Sequence, residues 1–254
     1  MPNPISDAIH YARVLHLPVV VDQAQTLADQ ARDQHWSHEE YLTALLSRQA
    51  NAREANSVTT RIRRAHFPRT CTLEEFNWDW QASAPRQTIE HLATSTFISN
   101  ANNVVLLGPP GVGKTHLAIA LGIKACQHGH STIFKTAVEW ITDLSQAHAH
   151  GQLASRLANL NKTRLIIIDE LGYLPLNADA ANLLFQLVST RYETSSIIIT
   201  SNLEFARWGE TLTDPTVAAA LIDRLVHHAD IIPLKGDSYR TRNRRTQNRN
   251  HTTQ

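Results

Sequence analysis

The sequence predicts an α/β fold in which a five-stranded parallel sheet follows a small all-α amino-terminal domain. From about residue 100 onward, short apolar runs alternate with segments long enough to be helices. Continuous apolar runs are typical of strands that helices cover on both faces, and their alternation with helices indicates a parallel sheet. Residues 6–66 instead show a helical pattern, which indicates a separate helical region.

Five apolar runs are the predicted strands: 103–107, 131–134, 164–168, 196–200 and 229–232. Two helical segments, at about 136–147 and 152–160, lie between the second and third of these strands and are separated by Gly151. A parallel crossover requires only one helix. The sequence therefore predicts an additional helix at this point of the sheet.

One amino-terminal helix has a clear predicted start. Ser37 and Glu40 are spaced as a capping box, in which the hydroxyl and the carboxylate satisfy the amide donors of the first turn. Four apolar side chains follow at helical spacing, and we expect the helix to pack them against a neighbour: Tyr41, Leu42, Leu45 and Leu46.

The stretch after Pro68 is predicted to be a linker. Proline disfavours helix continuation, and residues 71–85 lack a clear period. We expect its aromatic side chains, Phe76, Trp78 and Trp80, to dock onto a neighbouring part of the protein.

Composition indicates a globular protein with a core of its own. The chain has 254 residues, of which 42% are hydrophobic and 19% charged. These fractions argue against a disordered or fibrous chain, and no apolar run approaches the ~20 residues of a membrane helix. The amino terminus lacks the pattern of a secretory signal, so we expect a cytoplasmic protein without membrane contact.

The net charge of +1 conceals an uneven distribution. Residues 71–234 carry 10 Lys+Arg against 15 Asp+Glu, whereas residues 48–70 carry six arginines and one glutamate. Residues 235–254 carry six basic residues and one aspartate. Such basic segments favour a polyanion, because each neutralised phosphate releases counterions, although solvated or disordered segments would look the same.

A phosphate-binding loop follows the first predicted strand directly. Residues 108–115 read GPPGVGKT and match the pattern G-x-x-x-x-G-K-[ST] between a strand and a helix. The glycines let backbone amides turn toward a β-phosphate, and the helix amino terminus adds its positive dipole end. Lys114 is expected to reach the β- and γ-phosphates, and Thr115 to hold Mg²⁺.

An acidic pair, Asp169 and Glu170, ends the third predicted strand. Ligands of open α/β sheets lie at the carboxyl ends of strands. Asp169 is expected to hold the magnesium through water, as the acidic residue of this strand does in P-loop NTPases. Glu170 is then placed to polarise the attacking water, which favours hydrolysis over binding alone.

Two further residues are candidates for catalysis. Asn202 follows the fourth predicted strand, where its amide can orient water and contact a phosphate oxygen, or simply cap the strand. Arg224 lies on a helix-like run and is a candidate arginine finger for a neighbouring subunit, although a surface salt bridge with Asp223 explains it equally well.

These motifs occur in the order of a known family. The segments TLEEF-x-W, NVVLLGPPGVGKTHLAIALG, LIIIDELGYLPL, IIITSNLEFARWGE, LIDRLVHHADII and GDSYR resemble the IstB-type transposition helper ATPases, relatives of the DnaC-type helicase loaders in the AAA+ superfamily. The resemblance covers about residues 10–240. It implies a small AAA+ P-loop ATPase that assembles on duplex DNA with ATP, remodels it, and recruits or stimulates the transposase encoded alongside.

The resemblance also implies roles for individual residues. The magnesium ligands would be Thr115 and Asp169, and the catalytic residues Glu170, Asn202 and Arg224. The ATP-binding residues would be Gly108, Pro109, Pro110, Gly111, Val112, Gly113, Lys114, Thr115 and His116. The candidate DNA-binding residues are Arg61, Arg63, Arg64, Arg69 and Arg240. Members of this family lack a full helical lid, and the 22 residues after Ile232 are too few for one.

Two functions remain open at this stage. The first is the ATP-dependent homo-oligomer on duplex DNA; the second is a helicase loader that binds a replicative helicase and single-stranded DNA. The predicted division is a helical domain at 1–68 for DNA or partner binding, a linker at 69–99 that docks on the ATPase, an ATPase domain at 100–234 and a basic tail at 235–254 that is partly disordered.

Overall fold

The computed structural model describes residues 4–212 and 215–239 of the chain. The described chain divides into two compact units, with the boundary between Thr60 and Arg61. This boundary falls within a long helix rather than after it. Arg240 and most of the predicted basic tail lie outside the described residues.

The first unit contains α1 (Pro4–Val14), α2 (Pro18–Asp33) and the larger part of α3 (His38–Ala65). Its apolar core is a cluster of five small or aliphatic side chains: Ala12, Val20, Ala24, Leu27 and Leu45. The predicted capping box is confirmed: the Ser37 N–H donates to Glu40 Oε2 at 2.7 Å, and the Glu40 N–H donates to Ser37 Oγ at 3.1 Å.

The expected apolar face of α3 is narrower than its sequence indicates. Leu45 is buried, and the half-buried Tyr41 donates its hydroxyl to the carbonyl of Ala24 at 3.1 Å. Leu42 and Leu46 are 54% and 49% exposed, so the prediction for these two side chains is wrong. Adjacent helical residues differ by about 100° around the axis, which places Leu46 well away from the stripe centred on Leu45.

The second unit is built on five strands: β1 (Asn103–Leu107), β2 (Thr132–Thr136), β3 (Leu165–Leu171), β4 (Ser196–Ser201) and β5 (Ala229–Pro233). All pairings are parallel, in the order β2-β3-β4-β1-β5. The predicted five-stranded parallel sheet is therefore confirmed. As expected for this class of NTPase, β4 lies between the strand before the phosphate-binding loop and the strand that contains the acidic pair.

Helices cover both faces of the sheet. They are α4 (Arg86–Ala93), α5 (Thr96–Ser99), α6 (Lys114–Gln127), α7 (Ala137–Ala149), α8 (Leu153–Asn161), α9 (Ala178–Arg191), α10 (Trp208–Leu212) and α11 (Pro215–Val226). The two helices predicted between the second and third strands are α7 and α8. A 3-10 turn at Phe205–Arg207 precedes α10. None of the helices in the described part of the chain is long and apolar enough to cross a membrane.

Strand side chains alternate between two apolar clusters. Val104 and Leu106 of β1 belong to the cluster that α4, α5 and α6 cover, whereas Val105 and Leu107 belong to the cluster of α7 to α11. Because both faces are covered, every residue of β1 is buried, which explains the unbroken apolar run in its sequence. Because all five strands run parallel, their carboxyl ends lie along one edge of the sheet.

The segment between Pro68 and Pro85 contains no regular helix or strand, as its sequence indicates. Phe76 is buried in the cluster that contains α6, and Trp78 packs edge-on against it with ring centroids 4.8 Å apart. Trp80 packs instead against Tyr239, with ring centroids 6.1 Å apart. This segment therefore lies against the loop between β1 and α6, which positions it to form a wall of the site.

Candidate nucleotide-binding site

The phosphate-binding loop is packed so closely that two of its positions require glycine. A Cβ on Gly108 would lie 2.1 Å from the carbonyl oxygen of Leu234, and a Cβ on Gly111 would lie 2.1 Å from Ser238 Oγ. Both glycines have positive φ angles, +148° and +86°. The segment that follows β5 thus packs directly against the loop at both positions.

Lys114 begins α6 and turns its ammonium group into the loop. Its Nζ donates to the carbonyl oxygens of Gly108 and Pro109 at 2.6 and 2.8 Å, and the residue is buried. The amino terminus of α6 presents its unsatisfied N–H groups at the same place. Together they make a concentrated positive site suited to phosphate groups.

Thr115 and Asp169 join the start of α6 to the end of β3. The Thr115 hydroxyl donates to the Asp169 carboxylate, with Oγ1 lying 3.0 and 3.1 Å from its two oxygens. Asp169 is 3% exposed. A hydroxyl and a carboxylate are hard oxygen ligands of the kind that Mg²⁺ takes beside nucleotide phosphates, so these residues fit that ion.

Glu170 follows Asp169 near the end of β3, which runs to Leu171. Its φ is +61°, in the left-handed region, and the pairing between β3 and β4 is shifted between Ile168 and Leu171. Glu170 is therefore exposed and lines the same cavity as Thr115, whereas Asp169 stays buried. The two neighbouring carboxylates occupy different environments, as their different predicted roles require.

Asn202 contains a buried polar atom without a partner. Its Oδ1 has no hydrogen bond among the described residues and lies near Gly172, where a Cβ would approach it to 3.0 Å. Leaving a buried acceptor unsatisfied costs about 1–3 kcal/mol. A water or ligand could bind this atom, although Asn202 does not line the cavity beside the phosphate-binding loop.

The cavity beside the phosphate-binding loop has walls that the motifs did not predict. It is lined by residues 111–116 of the loop and helix, by Glu170 and by Thr200. Gln81 helps to hold the loop, since its Nε2 donates to the carbonyl of Val112 at 2.9 Å. The walls that sequence reasoning missed come from separate parts of the chain: Glu75, Phe76, Asn77, Trp80, Gln81, Tyr173 and Tyr239. The aromatic composition of the linker was the available signal.

His116 also faces this cavity. Its Nε2 lies 2.7 Å from the carbonyl oxygen of Thr72, and its ring packs edge-on against Phe76 with centroids 5.5 Å apart. Its position therefore connects the first turn of α6 to the linker wall.

Arg224 lies on α11, and it is not among the residues that line the cavity. Its guanidinium carbon lies 4.6 Å from the centroid of the Phe185 ring, and Nη1 donates to the carbonyl of Ala220 at 3.2 Å. The structure thus does not bring Arg224 to the phosphate-binding loop of its own chain.

The four candidate DNA-binding arginines that the structure describes have different environments. Arg61 is half-buried and donates its Nε to the carbonyl of Cys126, at the end of α6, at 2.7 Å. Arg63 and Arg64 are exposed, whereas Arg69 is exposed and also lines the cavity beside the phosphate-binding loop. Arg240 lies outside the described residues.

The fold and the site together define an AAA+ P-loop nucleotide-binding protein. Solved structures share this fold at low sequence identity. AMPPCP-bound DnaA from Aquifex aeolicus superposes with a TM-score of 0.55 at 19% identity, covering 67% of this chain and 51% of that chain. The DnaC helicase loader superposes with a TM-score of 0.50 at 22% identity, covering 59% of this chain and 87% of that chain.

Residues 10–247 match the IstB-like ATP binding protein family, and the chain belongs to that family. A Geobacillus stearothermophilus protein, named for ATP binding and for insertion sequence IS5376, is 40% identical over 96% of this chain and 97% of its own length. A Pseudomonas aeruginosa protein, named for ATP binding and for insertion sequence IS21, is 41% identical over 87% of this chain and 83% of its own. The predicted family is confirmed.

Proposed function

We propose that this protein is a magnesium-dependent ATPase that assembles on duplex DNA as an ATP-dependent homo-oligomer and assists a transposase. One observation carries the ATPase assignment. The ammonium of Lys114, the amino terminus of α6 and the Thr115–Asp169 pair converge on one edge of the sheet. Cation, amides and oxygen ligands at that spacing suit a nucleoside triphosphate with its Mg²⁺.

In this proposal each residue of the site has a separate role. Backbone amides of residues 108–113 bind the β-phosphate, and Lys114 exchanges its bonds to two loop carbonyls for bonds to the β- and γ-phosphates. Thr115 and Asp169 hold Mg²⁺, which, when bound, neutralises charge on the phosphate oxygens. Glu170 accepts a proton from the attacking water, and Asn202 orients that water or contacts the γ-phosphate.

Arg224 acts in trans in this proposal. Because it lies apart from the cavity of its own chain, it can meet the γ-phosphate of an adjacent subunit, where a guanidinium stabilises charge in the transition state. ATP would then be held between subunits, and hydrolysis would loosen the assembly.

The exposed arginines Arg63 and Arg64 are the main residues proposed to contact DNA. Exposed guanidinium groups bind backbone phosphates with little dependence on base sequence. Arg61 has an internal partner, and Arg69 lines the nucleotide cavity, so their contribution to DNA binding is proposed to be smaller. Arg240 remains a candidate.

The role in transposition rests on the relatives. Proteins at 40% and 41% identity are named for insertion sequences, whereas the likeness to helicase loaders is one of fold at 22% identity or less. This difference favours transposase assistance over helicase loading. ATP and DNA occur together in the bacterial cytoplasm, and we propose that compartment.

ATP hydrolysis by purified protein tests the proposal, with and without duplex DNA. We expect hydrolysis by the wild type and none by Lys114→Ala, because the variant lacks the cation of the loop. Lys124→Ala is the matched control, since this lysine of the same helix forms a surface ion pair with Glu74 at 3.3 Å. Equal loss in both variants, or full activity of Lys114→Ala, would overturn the assignment.

A further inference from the structure

Thr200 contacts both acidic residues of the site. It lies on β4, two residues before Asn202, and is 1% exposed. Its hydroxyl donates to Asp169 Oδ1 at 2.5 Å and accepts the N–H of Glu170 at 3.0 Å. One side chain thus binds the carboxylate of one residue and the backbone of the next.

We propose that Thr200 is a positioning residue for ATP hydrolysis: it fixes the Asp169 carboxylate and the backbone of Glu170 together. The inference rests on the proposed ATPase function. Thr200 acts through its two neighbours and is assigned no direct step in the reaction.

The backbone of Glu170 explains why such support is needed. Residues other than glycine rarely adopt a backbone φ of +61°, the value at Glu170, because their Cβ crowds the following carbonyl oxygen. The shifted pairing between β3 and β4 also removes the regular ladder at this point. The Thr200 hydroxyl supplies the N–H of Glu170 with a partner from β4, and so holds the turn that exposes the Glu170 side chain.

The carboxylate of Asp169 receives hydrogen bonds from two threonines. Thr200 binds Oδ1, while the Thr115 hydroxyl approaches both oxygens at 3.0 and 3.1 Å. A hydroxyl has a single hydrogen to donate. With Thr200 bound to Oδ1, the carboxylate is held in the orientation that faces Thr115, its proposed fellow ligand for Mg²⁺.

Thr200→Val removes the hydroxyl and keeps the shape of the side chain, whereas Thr200→Ser keeps the hydroxyl. Thr132→Val is the matched control, because Thr132 is a threonine 3% exposed at the opposite end of a strand in the same sheet. Three properties are measured: the melting temperature, kcat and KM for ATP, and the Mg²⁺ concentration that gives half-maximal binding of a fluorescent ATP analogue.

We expect Thr200→Val to lower kcat by about tenfold or more, as the loss of bonds to a charged group predicts, with KM changed by less than about threefold. The Mg²⁺ requirement for analogue binding should rise severalfold. Thr200→Ser should restore both values to within about twofold, and Thr132→Val should change neither. In a Glu170→Gln background, Thr200→Val should lower kcat much less, because the carboxylate that Thr200 positions has already been replaced by a neutral amide.

A purely structural role predicts another result. Thr200→Val would then lower the melting temperature as Thr132→Val does and leave kcat and the Mg²⁺ requirement unchanged, which would overturn the inference. If Thr200→Val does not fold, Thr200→Ala removes the same hydroxyl and is judged by the same criteria. Wild-type protein without ATP binding or hydrolysis would overturn the ATPase proposal and this inference together; normal kinetics of the variant would overturn this inference alone.

Discussion

The N–H of Tyr239 donates a hydrogen bond to the carbonyl oxygen of Gly111 at 3.0 Å. This bond joins the segment after the last strand to the centre of the phosphate-binding loop, 128 positions earlier in the chain. A second bond of the same segment, from the Leu234 N–H to the carbonyl of Leu107 at 2.7 Å, lies at the base of the loop. The conformation of the loop therefore depends on contacts outside its own motif.

Gly111→Ala should abolish nucleotide binding while the sheet stays folded. Its φ of +86° disfavours a side chain, and the added Cβ would lie 2.1 Å from Ser238 Oγ. Gly129→Ala is a close control, because Gly129 has a φ of +89° and no atom within 4 Å of the added Cβ. Calorimetric ATP titration should show a large fall in affinity for the first variant only; similar affinities for the two variants would contradict the proposed dependence of the loop on its contact with Ser238.

Glu170→Gln should bind ATP with nearly wild-type affinity and hydrolyse it very slowly. The amide keeps the size of the side chain but is a poor proton acceptor. Single-turnover measurements should show bound ATP that persists, and DNA-bound assemblies should be longer-lived. Wild-type turnover by this variant would remove Glu170 from its proposed role.

Arg224→Ala should bind ATP but lose hydrolysis by about a thousandfold, since a missing arginine finger acts on the transition state. The trans role makes a stronger prediction. Mixing Arg224→Ala with Lys114→Ala should recover activity, because the second variant supplies an intact Arg224 to the intact loop of the first.

Arg207→Ala is the matched control for this experiment. Arg207 is exposed and forms an ion pair with Glu210 at 2.9 Å, and no role in hydrolysis is proposed for it. If the two variants still assemble but their mixture does not recover activity, Arg224 does not act on a neighbouring subunit.

Replacing Arg63 and Arg64 with glutamine should weaken duplex binding for all sequences tested. Removing one bond to a DNA phosphate reduces the slope of log affinity against log salt by about 0.9, so the double variant should have a slope shallower by about two units. The control is a double variant in which glutamine replaces Arg86 and Arg207. It changes the net charge by the same amount, but at two exposed ion pairs. An equal effect of this control pair would indicate a general charge effect rather than DNA binding at α3.

Local patterns predicted much of the fold, because buried strands and the phosphate-binding loop are encoded in short stretches. The run NVVLL is β1 to the residue, since both of its faces are covered. Long-range contacts were not predictable in this way. Neither the left-handed conformation of Glu170 nor its bond to Thr200 follows from spacing, because both arise where β3 and β4 meet.

The same limit explains two other differences. Leu42 and Leu46 fit a helical apolar stripe, but their exposure depends on which helices lie beside α3. Tyr239 reaches the cavity only because the segment after β5 returns to the loop. Sequence spacing indicates which side chains share a face, whereas the partner of that face is set by the tertiary fold.

Sedimentation of the wild-type protein with duplex DNA, with and without a non-hydrolysable ATP analogue, tests the central claim most directly. The account predicts that the analogue produces a large DNA-bound oligomer, and that neither the analogue alone nor DNA alone does so. Electron microscopy of the same samples would show the subunits in contact along the duplex. Identical sedimentation with and without the analogue would contradict ATP-dependent assembly on DNA.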